Sequence, residues 1–187
     1  AYGGATILSH KTRHLLGGIE LVNSITFDAH KWMSVPMGTS IFLTSQKEIL
    51  AKTFRVTTEY MPKEANALEI VDPFTHSIQW SRLFAGLTLY LSLLIFGWEG
   101  YEEVIDHQLK MGQLLRELLL ENGWEIVNNS ALPVICFTDK ECAKDPQFIK
   151  WMCSRVIESG EAWLSSYPIK GSDTIRACIT NYASGEE

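Results

Sequence analysis

A short apolar strand that ends in a histidine–lysine pair most constrains how this chain folds and works. Residues 24–32 read Ser-Ile-Thr-Phe-Asp-Ala-His-Lys-Trp, and residues 25–28 are predicted to form a buried strand that opens into a loop through residues 35–38. A lysine at a strand end, beside a histidine and an aromatic residue, can act as a Schiff-base nucleophile if partial desolvation keeps its amine neutral. A solvated lysine after a strand is the simpler alternative. The pair His30 and Lys31 does not by itself decide between them.

Composition narrows the class of protein. The chain has 187 residues, 46% of them hydrophobic and 20% charged, as in ordinary globular proteins. A net charge of −6 without a basic run argues against a nucleic-acid surface. The four cysteines show no CxxC or metal-ligand spacing, so we expect no metal site and a reducing, cytoplasmic compartment. The apolar run 83–96 is too short to span a bilayer and is predicted to be a buried helix.

Hydrophobic periodicity and turn residues predict an α/β first part. After a flexible turn at residues 2–5, its predicted elements are a helix over 9–20, the strand 25–28, a strand over 39–44 and a helix over 46–53 that Ser45 and Glu48 would cap. An irregular segment, residues 55–74, follows and has the length of a functional lid or a linker.

The second part is predicted to contain two long helices and a small α+β domain. The first helix would run from residue 75 or 77 to 96, residues 97–100 would break it, and the second would run from 101 to 122. The domain would then contain strands over 124–127 and 133–137, a helix from 144 or 145 to 158 with Phe148, Trp151, Met152 and Val156 facing inward, and strands over 162–166 and 174–180.

Several spaced motifs together resemble one family. Besides residues 24–32, they are Ala-Tyr-Gly-Gly-Ala at 1–5, Arg-His-Leu-Leu at 13–16 with Gly-Ile-Glu at 18–20, Ser-Arg-Leu-Phe at 81–84 and Arg-Ala-Cys-Ile-Thr-Asn at 176–181. In this order they resemble the pyridoxal-phosphate-dependent group II amino-acid decarboxylases, which include aromatic amino-acid, glutamate and diaminobutyrate decarboxylases. The resemblance runs from residue 1 to about residue 182.

The resemblance implies an α/β fold: the end of a fold-type-I pyridoxal-phosphate large domain, followed by a small α+β C-terminal domain. We expect residues 1–54 to be the C-terminal part of the large domain, 55–74 a mobile loop or linker, and 75–187 the two helices and the small domain. The family's cofactor-ring aspartate would stand two residues before Ala1. We therefore expect an N-terminal part of the same enzyme, or a partner chain, to complete the site, and the isolated chain to be inactive.

The resemblance also implies site residues. Lys31 would form the aldimine with pyridoxal phosphate, and His30 would help to hold the phosphate end of that cofactor. Tyr60 stands 29 positions after Lys31, where aromatic amino-acid decarboxylases carry a mobile-loop tyrosine that protonates the product; relatives with phenylalanine there favour oxidative deamination. Asp28 replaces an asparagine of several eukaryotic members, and we expect its carboxylate to bond to a neighbouring donor rather than face the phosphate.

The expected function is decarboxylation of an amino acid to an amine and carbon dioxide by a homodimer with shared active sites. An aminotransferase or lyase of the same fold, and a non-catalytic fragment or subunit that needs another chain, remain alternatives. Aromatic, acidic and diamino acids all remain open as substrates. No nucleic-acid or membrane partner is expected.

Overall fold

The structure, a computed structural model, describes residues 1–56, 71–141 and 144–186. Three 3₁₀ turns open the chain: Tyr2–Leu8, Arg13–Leu16 and Ile19–Leu21. The strands are β1 (Ser24–Asp28), β2 (Ser40–Thr44), β3 (Glu125–Ile126), β4 (Val134–Thr138), β5 (Ser165–Ile169) and β6 (Ser172–Cys178). The helices are α1 (Ala29–Trp32), α2 (Ile49–Phe54), α3 (Pro73–His76), α4 (Ala85–Glu121) and α5 (Pro146–Ser159).

Strands β1 and β2, both predicted from their β-rich sequences, form an antiparallel pair, but β1 is half-exposed and not buried as expected. Its register places Ser24 opposite Thr44 at one end and Asp28 opposite Ser40 at the other. Behind this pair lies the first hydrophobic core, to which α4 contributes Tyr101 and Ile105. The remaining buried members come from the first 35 residues: Ala5, Leu8, Ala29, Trp32, Met33 and Val35.

The N-terminal segment differs from its prediction. Residues 2–5 were expected to be a flexible turn, yet they belong to a 3₁₀ helix that packs on β1. A Cβ atom at Gly4 would lie 2.4 Å from the Phe27 ring, so this close approach requires glycine. The helix predicted over residues 9–20 is wrong because Gly18 adopts a left-handed conformation (φ 88°) and divides the segment into two short turns.

A polar clasp holds this N-terminal segment on α4. The Ser9 hydroxyl donates to Asp106 Oδ1 at 2.6 Å, and Lys11 Nζ lies 2.5 Å from Asp106 Oδ2. One turn away, the His10 backbone N–H and Nδ1 both contact Glu102 Oε1, at 2.7 and 2.8 Å. The backbone bond first, and the ring contact second, lower the pKa of Glu102. The clasp fixes the position of the chain that leads to Tyr2 and β1.

Helix α4 bends where predicted but begins later. Gly97 has non-helical torsions (φ 66°, ψ −174°) and divides the helix, confirming the predicted break. The predicted start at residue 75 or 77 is wrong because α3 ends at His76 and helical structure resumes only at Ala85. Within the described residues, no helix is both long and apolar enough to cross a bilayer.

Residues 83–96 are largely exposed, which contradicts their prediction as a buried helix. Only a stripe that includes Leu89 and Leu93 packs on the first core. On the other side, Leu94 is 66% and Ile95 75% exposed because no described part of the chain covers them. The predicted cap of α2 is also wrong: the Ser45 hydroxyl bonds to the Asn23 carbonyl instead, and the helix begins after Glu48.

The C-terminal part is a four-stranded antiparallel sheet in the order β3-β4-β6-β5, with α4 and α5 against one face. The predicted strand and helix order is confirmed. Strands β5 and β6 are displaced by two or three residues from their predicted ranges because a tight turn at Lys170 and Gly171 (φ 49° and 85°) sets their register. Cys136, Cys153 and Cys178 carry free thiols.

The inward face of α5 was predicted incorrectly at one position. Ile149 and Cys153 are its buried residues, and Met152 packs beside them. Trp151, predicted to face inward, is 57% exposed because two positions along a helix turn a side chain by about 200° away from Ile149. The Asp145 carboxylate accepts bonds from the backbone N–H groups of residues 147 and 148 and caps the helix.

We predict that Gly112→Ala destabilises the protein. A Cβ atom at Gly112 in α4 would lie 2.7 Å from Pro133 Cβ and 2.9 Å from Pro133 Cα, which a rigid proline cannot avoid. Overpacking costs about 1–3 kcal/mol and should outweigh the gain in helix propensity of about 1 kcal/mol. Urea unfolding measures the difference. Gly86→Ala in the same helix is the control, since the nearest side-chain atom there is 3.6 Å away; equal stability of both variants would contradict the packing described.

Candidate active site

The end of β1 places two functional side chains on one outward face. Helix α1 is a single turn that follows Asp28 directly. Its first and last residues, Ala29 and Trp32, are fully buried in the first core, since residues three apart lie on one side of a helix. His30 and Lys31 therefore point to the other side, and Lys31 is 43% exposed.

His30 is held by a single carbonyl group. Its backbone N–H donates to the Thr39 carbonyl oxygen at 3.1 Å, and its ring Nδ1 lies 3.0 Å from the same atom. Since a carbonyl only accepts, Nδ1 carries the proton and Nε2 is directed elsewhere. Thr39 is buried, and its hydroxyl donates to the Pro36 carbonyl at 2.9 Å. The position of the imidazole thus depends on the loop that joins α1 to β2.

Lys31 forms an ion pair with Asp28. Its Nζ atom lies 2.8 Å from Asp28 Oδ2, one helical turn back along the chain. The Ser40 hydroxyl donates to the other carboxylate oxygen, Oδ1, at 2.6 Å. The bond from Lys31 first, and that from Ser40 second, lower the pKa of Asp28 to about 2. Asp28 thus bonds to neighbouring donors, as expected.

An aromatic stack supports this turn from behind. The rings of Tyr2 and Trp32 lie 4.8 Å apart and nearly parallel, at 10°. Burial raises the pKa of the Tyr2 hydroxyl, and the neighbouring Cys178 adds to the effect. The Asp28 backbone N–H donates to the Ala1 carbonyl at 3.2 Å. Sequence reasoning missed this role of Tyr2 because it assigned residues 2–5 to a turn.

Tyr60, the third predicted site residue, lies outside the described residues, and its role stays a prediction. Within the described ranges, no group of three or more His, Cys, Asp or Glu side chains could hold a metal ion.

The donor set at the end of β1 fits pyridoxal phosphate. Lys31 supplies an accessible primary amine for an aldehyde, and the His30 ring could donate from Nε2 to a phosphate oxygen when both of its ring nitrogens are protonated. A carboxylate beside a phosphate would be unfavourable, but both Asp28 oxygens are already bonded, one to Lys31 and one to Ser40. The charge of Asp28 is therefore compensated within the strand pair.

Comparison with known proteins shows which proteins the sequence of this chain resembles. Residues 1–140 match the pyridoxal-dependent decarboxylase conserved domain. The aromatic-L-amino-acid decarboxylase of Bacillus atrophaeus is 30% identical to this chain over 97% of the chain and 39% of the relative. The aspartate 1-decarboxylase of Aliivibrio fischeri is 28% identical over 73% of this chain and 24% of its own length.

The fold of the chain matches that of a solved structure. The crystal structure of Oryza sativa TDC with PLP and tryptamine superposes with a TM-score of 0.85 at 21% identity, covering 96% of this chain and 39% of that one. This likeness confirms the predicted fold class. The chain spans about two-fifths of the length of the Bacillus relative. The match over residues 1–140 confirms the resemblance inferred from the motifs: the chain belongs to the pyridoxal-dependent decarboxylase family.

Proposed function

We propose that this protein decarboxylates an amino acid to its amine and carbon dioxide with pyridoxal phosphate bound through Lys31. The observation that carries the proposal is the outward-facing Lys31 amine next to a fixed His30 imidazole, at the end of β1 and within the family match. When bound, pyridoxal phosphate supplies an electron sink for the electron pair that carbon dioxide leaves behind.

The residues of this chain have separate roles in the proposal. Lys31 holds the cofactor covalently through its amine and moves away from Asp28 to do so. His30 would donate Nε2–H to the phosphate end in its doubly protonated form, while its Nδ1–H stays bonded to the Thr39 carbonyl. Tyr60 donates its phenolic proton to the substrate's α-carbon after carbon dioxide departs; a pKa of roughly 10 suits a donor to so basic a carbon.

We further propose a homodimer with shared active sites in the cytoplasm. The exposed apolar side of α4 supports an assembly, because Leu94 and Ile95 are 66% and 75% exposed and such surface is costly in water. The substrate class stays open among aromatic, acidic and diamino acids. Relatives named for aromatic amino acids and for aspartate both match the chain.

Lys31→Ala should abolish amine formation, because no other amine stands at this position on α1. The full-length enzyme that contains this chain and its Lys31→Ala variant are incubated with pyridoxal phosphate and a panel of aromatic, acidic and diamino acids, and the amines are measured by chromatography. Lys47→Ala is the control, since Lys47 is an exposed lysine after β2. Undiminished amine formation by Lys31→Ala would exclude the proposed role of Lys31.

Tyr60→Phe should lower amine formation by about 10²- to 10⁴-fold, the usual contribution of a general acid. Cofactor binding should stay intact, as measured by the absorbance of the bound chromophore. Tyr90→Phe, which alters an exposed tyrosine on α4, is the matched control. If Tyr60→Phe formed amine at the rate of the unaltered protein, the tyrosine would have no part in the reaction.

A further inference from the structure

The Asp28–Lys31 ion pair is asymmetric. Asp28 is 16% exposed, whereas the side chain of Lys31 is 43% exposed. The carboxylate belongs to the strand pair, and the amine sits at its solvent side. Any movement that separates the two groups is therefore a movement of Lys31.

Asp28 is fixed by contacts that do not involve Lys31. Ser40, its register partner on β2, donates its hydroxyl to Oδ1 at 2.6 Å. The Asp28 backbone N–H donates to the Ala1 carbonyl at 3.2 Å. The carboxylate is thus held in place before Lys31 reaches it, and it presents its second oxygen to the α1 turn.

We propose that Asp28 is a positioning residue that holds Lys31 as a paired ammonium ion and slows its reaction with aldehydes until the cofactor binds. The link to cofactor capture rests on the proposed function, but the pairing itself does not. An ammonium nitrogen has no lone pair, so Lys31 must leave Asp28 and release one proton to solvent. The nitrogen then bonds to the aldehyde carbon, and the aldehyde oxygen leaves as water.

Protonation of Asp28 does not break the Asp28–Lys31 ion pair under ordinary conditions. The pKa of Asp28 lies at about 2, so its carboxylate stays charged at neutral and mildly acidic pH. Among the described residues, the His30 ring, tied to the Thr39 carbonyl, is another titratable group that acts on Asp28. The ion pair breaks when Lys31 loses its proton or exchanges Asp28 for another anion.

Competitive acetylation of the cofactor-free protein tests directly whether Asp28 slows the reaction of the Lys31 amine. The protein is treated briefly with an N-hydroxysuccinimide ester of acetate, and mass spectrometry measures the acetylation rate of each lysine. Asp28→Asn keeps the size of the side chain and its bond to Ser40 but removes the charge. The Lys31 rate should rise about two- to fivefold, as expected for loss of a partly exposed ion pair. Capture of pyridoxal phosphate, followed by absorbance, should accelerate by a similar factor.

Two further variants keep the test decisive. Ser40→Ala leaves Asp28 charged but less firmly held, and it should raise the Lys31 rate by a smaller factor; it substitutes for Asp28→Asn if that variant does not fold. Glu48→Gln makes the same charge change at the exposed Glu48–Lys52 pair and should leave Lys31 unaffected.

The outcomes separate this proposal from the proposed function. The proposed role of Asp28 would be overturned if the acetylation rate of Lys31 were unchanged in both Asp28→Asn and Ser40→Ala, or if Asp28→Asn captured the cofactor more slowly. If Asp28→Asn speeds acetylation of Lys31 in a protein that never captures pyridoxal phosphate, the proposed role of Asp28 is supported and the proposed function is rejected.

Discussion

The antiparallel pairing of β1 with β2 is the constraint on which the candidate site depends. It sets Ser40 opposite Asp28 and brings the Thr39 carbonyl within reach of both His30 donors. A shift of one residue in this register would turn Asp28 to the opposite face and remove both sets of bonds. The chemistry of His30 and Lys31 is thus determined by a strand, β2, that supplies no reacting group.

The hydrophobic core behind the strand pair fixes the orientation of α1. Trp32 is fully buried and stacked on Tyr2, which anchors the single turn of α1 so that Lys31 must face outward. The N-terminal segment that begins with Tyr2 is held on α4 by the Ser9–Asp106 and His10–Glu102 contacts. Helix α4, which packs on the same core as Trp32, therefore helps to support the site, as expected when functional groups are placed on rigid elements.

Local patterns predicted the elements whose determinants are local. The β-rich runs that form β1 and β2, the break at Gly97 and the strand order of the small domain all follow from nearby residues. Predictions that depended on tertiary packing failed. The apolar run 83–96 was expected to be buried, but burial requires a covering surface that the described residues do not supply. The Tyr2–Trp32 stack was likewise missed, because a contact between separate segments leaves no periodic signal. For Asp28 the sequence predicted a bond to a neighbouring donor, but not that Lys31 and Ser40 are the donors.

If the Lys31 amine holds the cofactor, chemical reduction of the bound cofactor will mark the lysine to which it is attached. The protein is loaded with pyridoxal phosphate, reduced with borohydride, digested and sequenced by mass spectrometry. We expect the pyridoxyl group on the peptide that contains residues 29–32, at Lys31. Attachment at another lysine, with Lys31 unmodified, would contradict this expectation.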